Sequence, residues 1–312
     1  MTVVLEAESV RVHYGAVAAV KRVDLRLEGG QLLGLIGPNG AGKTSLFRAL
    51  AGLQALTSGR VRVLGGEVEP GARHTLARIG FAPDTPPVYD TLTVATFLQF
   101  VGRAYDLARE TIDERIDFWL DQLWLKDKRD AKISTLSRGM RQRLTIARTL
   151  IPDPILVLLD EPSAGLDPAG RVQFRQLLGS LREQGRALIV SSHILSDLHE
   201  YCTHIGVIEA GRMRRLNTVT EFVHGQNNGR VRYKLRTARP APELAVLLPE
   251  VAGVAGVRVE GREVQFEFSE DAAHAAALLA DLVQRGIPVA SFGAQTANLE
   301  EAYLRAGIRQ VD

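Results

Sequence analysis

The chain has 312 residues, of which 46% are apolar and 24% charged, the composition of a folded globular protein rather than a disordered one. Its 38 basic and 36 acidic residues leave a net charge of +2, so no overall field favours nucleic acid, and no nucleic-acid partner is expected. Cys202 is the only cysteine, which excludes an internal disulfide and a cysteine-ligated metal cluster and fits a reducing cytoplasm.

The length favours one large domain and a smaller one. No apolar run approaches the ~18–20 residues that span a bilayer, and the acidic residue Glu6 argues against a secretory signal. If the protein works at a membrane, a separate chain is expected to supply the membrane-embedded part.

The first strong signal along the chain is a glycine-rich loop. Residues 32–36 predict a buried strand and residues 46–50 a helix, so the loop between them has the geometry in which backbone N–H groups surround phosphate oxygens. Lys43 is expected to reach the β- and γ-phosphates, and the Thr44 hydroxyl to bind Mg²⁺. The nucleotide-binding residues predicted here are Gly37, Pro38, Asn39, Gly40, Ala41, Gly42, Lys43, Thr44 and Ser45.

A helix start follows later in the chain. Ser137 is predicted to cap a helix that continues to Leu150, and Gly139 to keep its first turn open to an anion. Taken alone, this pattern is better explained by an ordinary capped helix, because capped helix starts are common.

Two adjacent carboxylates end the next apolar run, residues 155–159. Asp160 is expected to hold Mg²⁺ through water, and Glu161 to orient and activate the attacking water. The alternative is a helix N-cap followed by a proline turn. The five-residue apolar strand before the pair, together with the phosphate loop earlier in the chain, makes that alternative the weaker interpretation.

A third apolar run, residues 187–190, precedes Ser191, Ser192 and His193. Runs that are apolar on both faces predict a mainly parallel sheet covered by helices, and such sheets bind ligands at the carboxyl ends of their strands. The phosphate loop, the Asp160–Glu161 pair and His193 all follow such ends.

The last part of the chain has a different pattern of apolar and polar residues. Residues 225–229 predict a linker, and the segments after it follow the order β-α-β-β-α-β, which indicates a small ferredoxin-like α+β domain. The basic face of its first strand, residues 230–236, is interpreted as a solvated sheet face, with phosphate binding as the alternative.

Together, these motifs resemble the nucleotide-binding subunit of ATP-binding cassette (ABC) transporters, and most closely the bacterial ABC-2 type exporter ATPases. The Leu-Ser-Gly-Gly-Gln signature of that family stands here as Leu136-Ser137-Arg138-Gly139-Met140, with two departures. The resemblance covers about residues 3–220, and a weaker one covers residues 298–304.

The resemblance implies an α/β P-loop NTPase fold with a mainly parallel core sheet, an antiparallel β subdomain and a helical subdomain. Residues 1–224 would form the ATPase domain, and residues 225–312 the accessory domain. The helical subdomain, at about residues 85–150 and containing Trp119 and Trp124, would dock on a membrane subunit.

Site roles also follow from the resemblance. Tyr14 would stack on adenine, and Ser137 and Gly139 would contact the γ-phosphate held by a second copy, so that two ATP molecules lie in a head-to-tail homodimer. Asp167 ends a loop that would contact the partner subunit. His193 would contact the γ-phosphate and position Glu161, which makes Glu161, His193 and Lys43 the predicted catalytic residues.

Asp84 departs from the family pattern, which has glutamine at this position. An aspartate keeps an oxygen ligand but is shorter and adds negative charge near the triphosphate. Asp84 is therefore predicted to bind Mg²⁺ together with Thr44 and Asp160, with a solvent-facing turn residue as the alternative.

The implied function is ATP hydrolysis coupled to export through a separate transmembrane permease, at the cytoplasmic face of the membrane. The alternative is a soluble ABC-type ATPase acting on ribosomes or DNA. The single cassette, and the lack of a long heptad run between Lys43 and Ser137, argue against that alternative. A P-loop kinase would have no use for the signature together with His193.

Overall fold

The computed structural model describes residues 2–85, 89–192, 195–224, 230–269 and 271–294. They belong to two compact units that divide between Val219 and Thr220, a few residues before the boundary predicted at 224/225.

The first unit is built on a ten-stranded sheet within the described residues. Its strands are β1 (Val3–Tyr14), β2 (Val17–Glu28), β3 (Leu32–Ile36), β4 (Ser58–Val63), β5 (Gly66–Glu67), β6 (Ile79–Ala82), β7 (Leu156–Leu159), β8 (Ala187–Ser191), β9 (His204–Glu209) and β10 (Arg212–Thr218). They lie in the order β5-β4-β1-β2-β10-β9-β3-β8-β7-β6.

The sheet has a parallel part and an antiparallel part. Strands β9, β3, β8, β7 and β6 pair in parallel, and every residue of β3, β7 and β8 is buried. Strands β5, β4, β1 and β2 pair antiparallel. The predicted parallel core and antiparallel β subdomain are therefore confirmed. Because the core strands are apolar on both faces, helices must cover both sides of them.

The helices of this unit include those of the predicted helical subdomain. They are α1 (Lys43–Leu50), α2 (Arg73–Leu76), α3 (Val94–Ala104), α4 (Arg109–Gln122), α5 (Arg138–Leu150), α6 (Pro168–Glu183) and α7 (Leu195–Tyr201), and α8 (Val219–His224) follows at the division between the units. Helices α3, α4 and α5 pack against one another through buried apolar side chains such as Leu98, Ile116 and Leu144. In the part of the chain that the structure describes, none of the helices has both the length and the apolar character needed to cross a bilayer.

The second unit has the predicted ferredoxin-like order. It consists of β11 (Arg230–Thr237), α9 (Leu244–Glu250), β12 (Ala255–Glu260), β13 (Glu263–Ser269), α10 (Ala272–Gln284) and β14 (Val289–Ala294). The strands lie in the order β12-β13-β11-β14, with every neighbouring pair antiparallel. In its core the ring of Tyr233 stacks on Phe266 and Phe292. The predicted linker at 225–229 and residues 298–304 lie outside the described residues.

Candidate nucleotide-binding site

A cavity of about 390 Å³ opens at the carboxyl ends of β3 and β7. It gathers most of the residues that the phosphate-loop and carboxylate motifs predict. Its lining consists of Val17, Ala18, Ala19, Lys21, Asn39, Gly40, Ala41, Gly42, Lys43, Thr44, Ser45, Asp84, Asp160, Glu161, Ala210 and Gly211. Gly37 and Pro38 lie at the base of the loop, where their carbonyl oxygens accept hydrogen bonds from Lys43.

The loop requires glycine at position 42, the residue that precedes α1. Gly42 has a φ of 105°, in the left-handed region, and a Cβ added there would lie 2.4 Å from the carbonyl oxygen of Ala19. α1 begins at the next residue, Lys43. The unpaired N–H groups of its first turn therefore belong to the loop that lines the cavity, which favours an anion there.

Lys43 is held inside the loop. Its Nζ donates to the carbonyl oxygens of Gly37 at 2.6 Å and Pro38 at 3.2 Å. Burial lowers the pKa of the Lys43 ammonium, and the nearby carboxylates of Glu161 and Asp160 oppose that shift. A phosphate in the cavity would supply the counter-charge that this half-buried ammonium favours.

The buried Asp160 is the centre of a hydrogen-bond network. It is 3% exposed, and its Oδ2 accepts a hydrogen bond of 2.7 Å from the Thr44 hydroxyl. Its Oδ1 accepts one of 2.6 Å from the Ser191 hydroxyl. Hydroxyl and carboxylate oxygens are ligands that Mg²⁺ prefers, so Thr44 and Asp160 fit such an ion, and Asp84 lines the same cavity.

Glu161 has an unusual backbone. Its φ of 48° lies in the left-handed region, which is rare for a residue with a side chain. Its N–H donates to the Ser191 hydroxyl at 2.8 Å, and its carbonyl accepts from Ala164 at 3.1 Å. The tight turn directs the chain out of β7 while Glu161 itself lines the cavity. Strain of this kind is concentrated at functional sites in proteins.

Ser191 is a residue whose role the sequence analysis missed. It lies at the end of β8, is fully buried, and connects Asp160 to the backbone of Glu161. A serine that ends an apolar strand beside the carboxylate strand was the only available signal, and strand order cannot be read from the sequence.

Besides Gly37 and Pro38, four predicted site residues within the described ranges are not among those that line the cavity: Tyr14, Ser137, Gly139 and Asp167. Tyr14 ends β1 and is 41% exposed, and its cross-strand partner Val17 does line the cavity. Ser137 caps α5 as predicted, accepting a hydrogen bond of 3.3 Å from the Met140 N–H. His193 lies outside the described residues.

Gly139 and Asp167 have structural partners of their own. A Cβ on Gly139 would lie 3.0 Å from the carbonyl oxygen of Gly165, so the start of α5 approaches the loop at residues 163–167 closely. Asp167 caps α6 by accepting a hydrogen bond of 2.9 Å from the Gly170 N–H.

The chain is similar to known proteins. The family model described as ABC transporter matches residues 20–164. The Nod factor export ATP-binding protein I of Cupriavidus metallidurans is 38% identical over 68% of this chain and 70% of its own length. The linearmycin resistance ATP-binding protein of Bacillus subtilis is 31% identical over 96% of this chain and 97% of its own length.

The chain belongs to the ABC transporter ATP-binding proteins. A solved ATP-binding cassette, determined as a dimer bound to ADP and Pi, shares the fold with a TM-score of 0.65. It is 23% identical to this chain and covers 69% of it and 98% of its own chain.

Membership in this ABC family makes the chain a nucleotide-binding ATPase that supplies energy to a transporter. The predicted family and fold class are confirmed. The comparisons give no support to a soluble ATPase acting on ribosomes or DNA.

Proposed function

We propose that this chain powers export as a homodimer, docked on a separate membrane permease at the cytoplasmic face. The observation that carries the proposal is that the predicted ATP-site residues fall into two groups, of which only one lines the cavity. The cavity holds Lys43, Thr44 and Glu161, while Ser137 and Gly139, the signature residues, are not among its lining residues. Each copy therefore offers half of an ATP site, and a head-to-tail partner would bring the other half.

ATP would bind with its phosphates in the loop and its adenine beside the β1–β2 hairpin, where Tyr14 offers a half-exposed ring. Lys43 would exchange its bonds to the Gly37 and Pro38 carbonyls for phosphate oxygens. Thr44, Asp160 and Asp84 would hold Mg²⁺, which neutralises phosphate charge when bound.

Glu161 would orient the attacking water and accept its proton. The Ser191 hydroxyl supports this role because it holds the Glu161 N–H and Asp160 together, which places the base and the metal-binding carboxylate in one arrangement. The role of His193 as a γ-phosphate contact remains a prediction from the family resemblance.

A second, apolar cavity of about 480 Å³ is a suitable docking site for the permease. It lies between the end of α1, β6, α3 and α5, and its lining includes the exposed side chains of Leu53, Phe100 and Tyr105. Arg148 also lines it, and burial lowers the pKa of this guanidinium. A permease segment with an apolar face and a carboxylate would complement both features.

Export, rather than import, is favoured by two relatives whose names refer to Nod factor export and to linearmycin resistance.

The decisive experiment is Glu161→Gln. The variant should lose ATP turnover while ATP, but not ADP, converts it into a stable dimer on size-exclusion chromatography, because the binding half-sites are intact. Lys43→Ala is the matched control, which should neither hydrolyse ATP nor dimerise. Normal hydrolysis by Glu161→Gln would contradict the assignment of the base.

The partner is tested by isolating the full chain from its native host. Recovery with a polytopic membrane protein supports the proposal. Recovery with ribosomes or DNA would overturn it.

A further inference from the structure

Trp124 occupies a position at which helices normally have glycine. α4 ends at Gln122, and two backbone bonds close its end: Trp124 N–H to Asp121 at 3.1 Å and Leu125 N–H to Leu120 at 2.8 Å. This pair of bonds is the Schellman motif, whose left-handed residue is usually glycine. Here that residue is Trp124, with a φ of 54°. A bulky side chain in this conformation is a backbone outlier that calls for an explanation.

The indole of Trp124 contacts a cation on another helix. The guanidinium carbon of Arg143, on α5, lies 5.6 Å from the centroid of the Trp124 ring. This distance is within the range of a cation–π interaction, for which tryptophan is the best partner. The indole is 42% exposed, so burial of the ring does not by itself account for a tryptophan at this position.

The same guanidinium reaches the start of α6. Arg143 Nη2 lies 3.9 Å from Oδ1 of Asp167, the oxygen that also caps α6. A Cβ on Gly170 would lie 2.8 Å from Arg143 Nη2, so the glycine leaves the space that the guanidinium needs. Arg143 therefore lies between the indole and the first turn of α6.

These contacts join two segments that the proposed function assigns to different ATP sites. α5 begins with the signature residues Ser137 and Gly139, which would reach the ATP of the partner copy. Asp167 ends the loop that follows Glu161, the base of this copy's own site. Gly139 also lies close to the Gly165 carbonyl, so the two segments touch at the middle of the loop as well as at its end.

We propose that Trp124 and Arg143 are positioning residues that hold the signature helix α5 in a set orientation against the loop at residues 163–167. This inference rests on the proposed function and adds a coupling between the two ATP sites. The indole restricts the rotamers of Arg143, and Arg143 restrains Asp167. Glycine would suit the backbone better, but it would leave the arginine free to move, so the strained tryptophan serves to position Arg143.

The proposal predicts a separation of activity from stability. Trp124→Gly should leave the midpoint of thermal unfolding unchanged or raise it, because glycine suits the left-handed backbone. It should also leave the KM for ATP within about twofold but lower kcat by about fivefold or more, because the half-site presented to the partner is misplaced. ATP-dependent dimer formation in a Glu161→Gln background should weaken in parallel.

Arg143→Met should reproduce the kinetic effect, and Arg143→Lys should recover part of it because the cation is kept. Two variants serve as controls on the same part of the fold. Phe118→Ala removes a ring that is 51% exposed, and Arg129→Met breaks a 3.0 Å ion pair with Asp117. Neither should change kcat.

The proposal is overturned if Trp124→Gly and Arg143→Met keep the kcat of the controls, or if their loss of activity follows a loss of folding stability. If the unmodified protein does not hydrolyse ATP, and the Glu161→Gln variant does not dimerise with ATP, the proposed function fails instead. The two failures are told apart because only this one affects proteins in which Trp124 and Arg143 are intact.

Discussion

The Thr44 hydroxyl donates a 2.7 Å hydrogen bond to Oδ2 of Asp160 across 116 residues of sequence. This bond joins the phosphate-binding loop to the end of β7 at a carboxylate that is almost fully buried. The glycine-rich loop and the acidic end of β7 are distant in sequence, and they meet at the side chain of Asp160. Thr44 and Asp160 both offer oxygen atoms here, so these two residues would hold a divalent cation at this point.

Thr44→Val tests this arrangement, because valine has nearly the shape of threonine but no oxygen. We expect MgATP hydrolysis to fall by about tenfold or more and the half-saturating Mg²⁺ concentration to rise. Thr44→Ser keeps the hydroxyl and should stay near the original activity. The measurement is ATPase rate against Mg²⁺ concentration, and equal Mg²⁺ curves for the valine and serine variants would exclude Thr44 as a ligand.

Ser191→Ala should affect both stability and turnover. It removes the donor to Asp160 Oδ1, in a buried bond, and the acceptor of the Glu161 N–H, in a partly buried bond. The free energy of unfolding should fall by about 2 kcal/mol, and kcat by about tenfold, because the strained turn at Glu161 loses its support. Denaturant unfolding and steady-state kinetics provide the readouts. The exposed Ser180→Ala is the control, and a kcat equal to that of the control would show that Ser191 is purely structural.

Two glycines of the loop differ in what surrounds them, which allows a matched comparison. Gly42 and Gly40 both have positive φ, at 105° and 75°, but only Gly42 lies against backbone, the Ala19 carbonyl. Gly42→Ala should therefore lower the free energy of unfolding by about 1–3 kcal/mol more than Gly40→Ala does. Calorimetry of the two variants measures the difference. Equal destabilisation would mean that the loop moves away from β2 without cost.

Cys202 should be unreactive in the folded protein. Burial raises the pKa of its thiol well above the usual value, and a Cβ on Gly34 would lie 2.9 Å from its Sγ. Alkylation by iodoacetamide at about pH 8 should be slow, and it should become fast in denaturant. Rapid labelling of folded protein would contradict this burial.

The same thiol predicts a pH dependence of stability. The pKa of the Cys202 thiol in the folded state lies above the unfolded value of ~8.5. The contribution of the protonated thiol to folding stability is therefore fully present below about pH 8.5. As the pH rises further, only the unfolded chain loses the proton, and stability falls by up to ~1.4 kcal/mol per pH unit. Cys202→Ala should have a shallower decline than the original protein. Parallel declines would show that Cys202 titrates normally.

Phe100→Asp tests the proposed permease-docking cavity separately from the ATP site. Phe100 is 55% exposed and lines the apolar cavity with Arg148, so a carboxylate there should disrupt docking of an apolar segment. Recovery with the membrane partner should drop, while ATPase activity in detergent-free solution should be unchanged. Phe118→Asp, which changes a similarly exposed ring outside this cavity, should still bind the partner.

Much of the fold could be predicted because its signals are local. The core strands at 32–36 and 187–190 are apolar on both faces, the cap at Ser137 precedes its helix directly, and the alternating pattern after residue 230 belongs to single strands. Each of these features depends on residues within a few positions of one another, so the chain shows them without its tertiary context.

The hydrogen bonds of the candidate site could not be predicted in the same way. The bonds of Ser191 to Asp160 and Glu161 require that β8 lie beside β7, and the contact of Trp124 with Arg143 requires that α4 end beside α5. Strand order and helix packing depend on contacts between distant residues, which a single sequence does not display.

By itself, the sequence determined that this protein has a phosphate-binding loop, a carboxylate pair, a signature helix and two kinds of sheet, because composition and spacing carry those features. The tertiary structure decided which residues share the cavity. It brought Asp84 to the loop, buried Asp160 between two hydroxyls, and left Ser137 and Gly139 out of the cavity lining. The physical reason is that a site is assembled by the packing of separate strands and helices, so its geometry exists only once the sheet has formed.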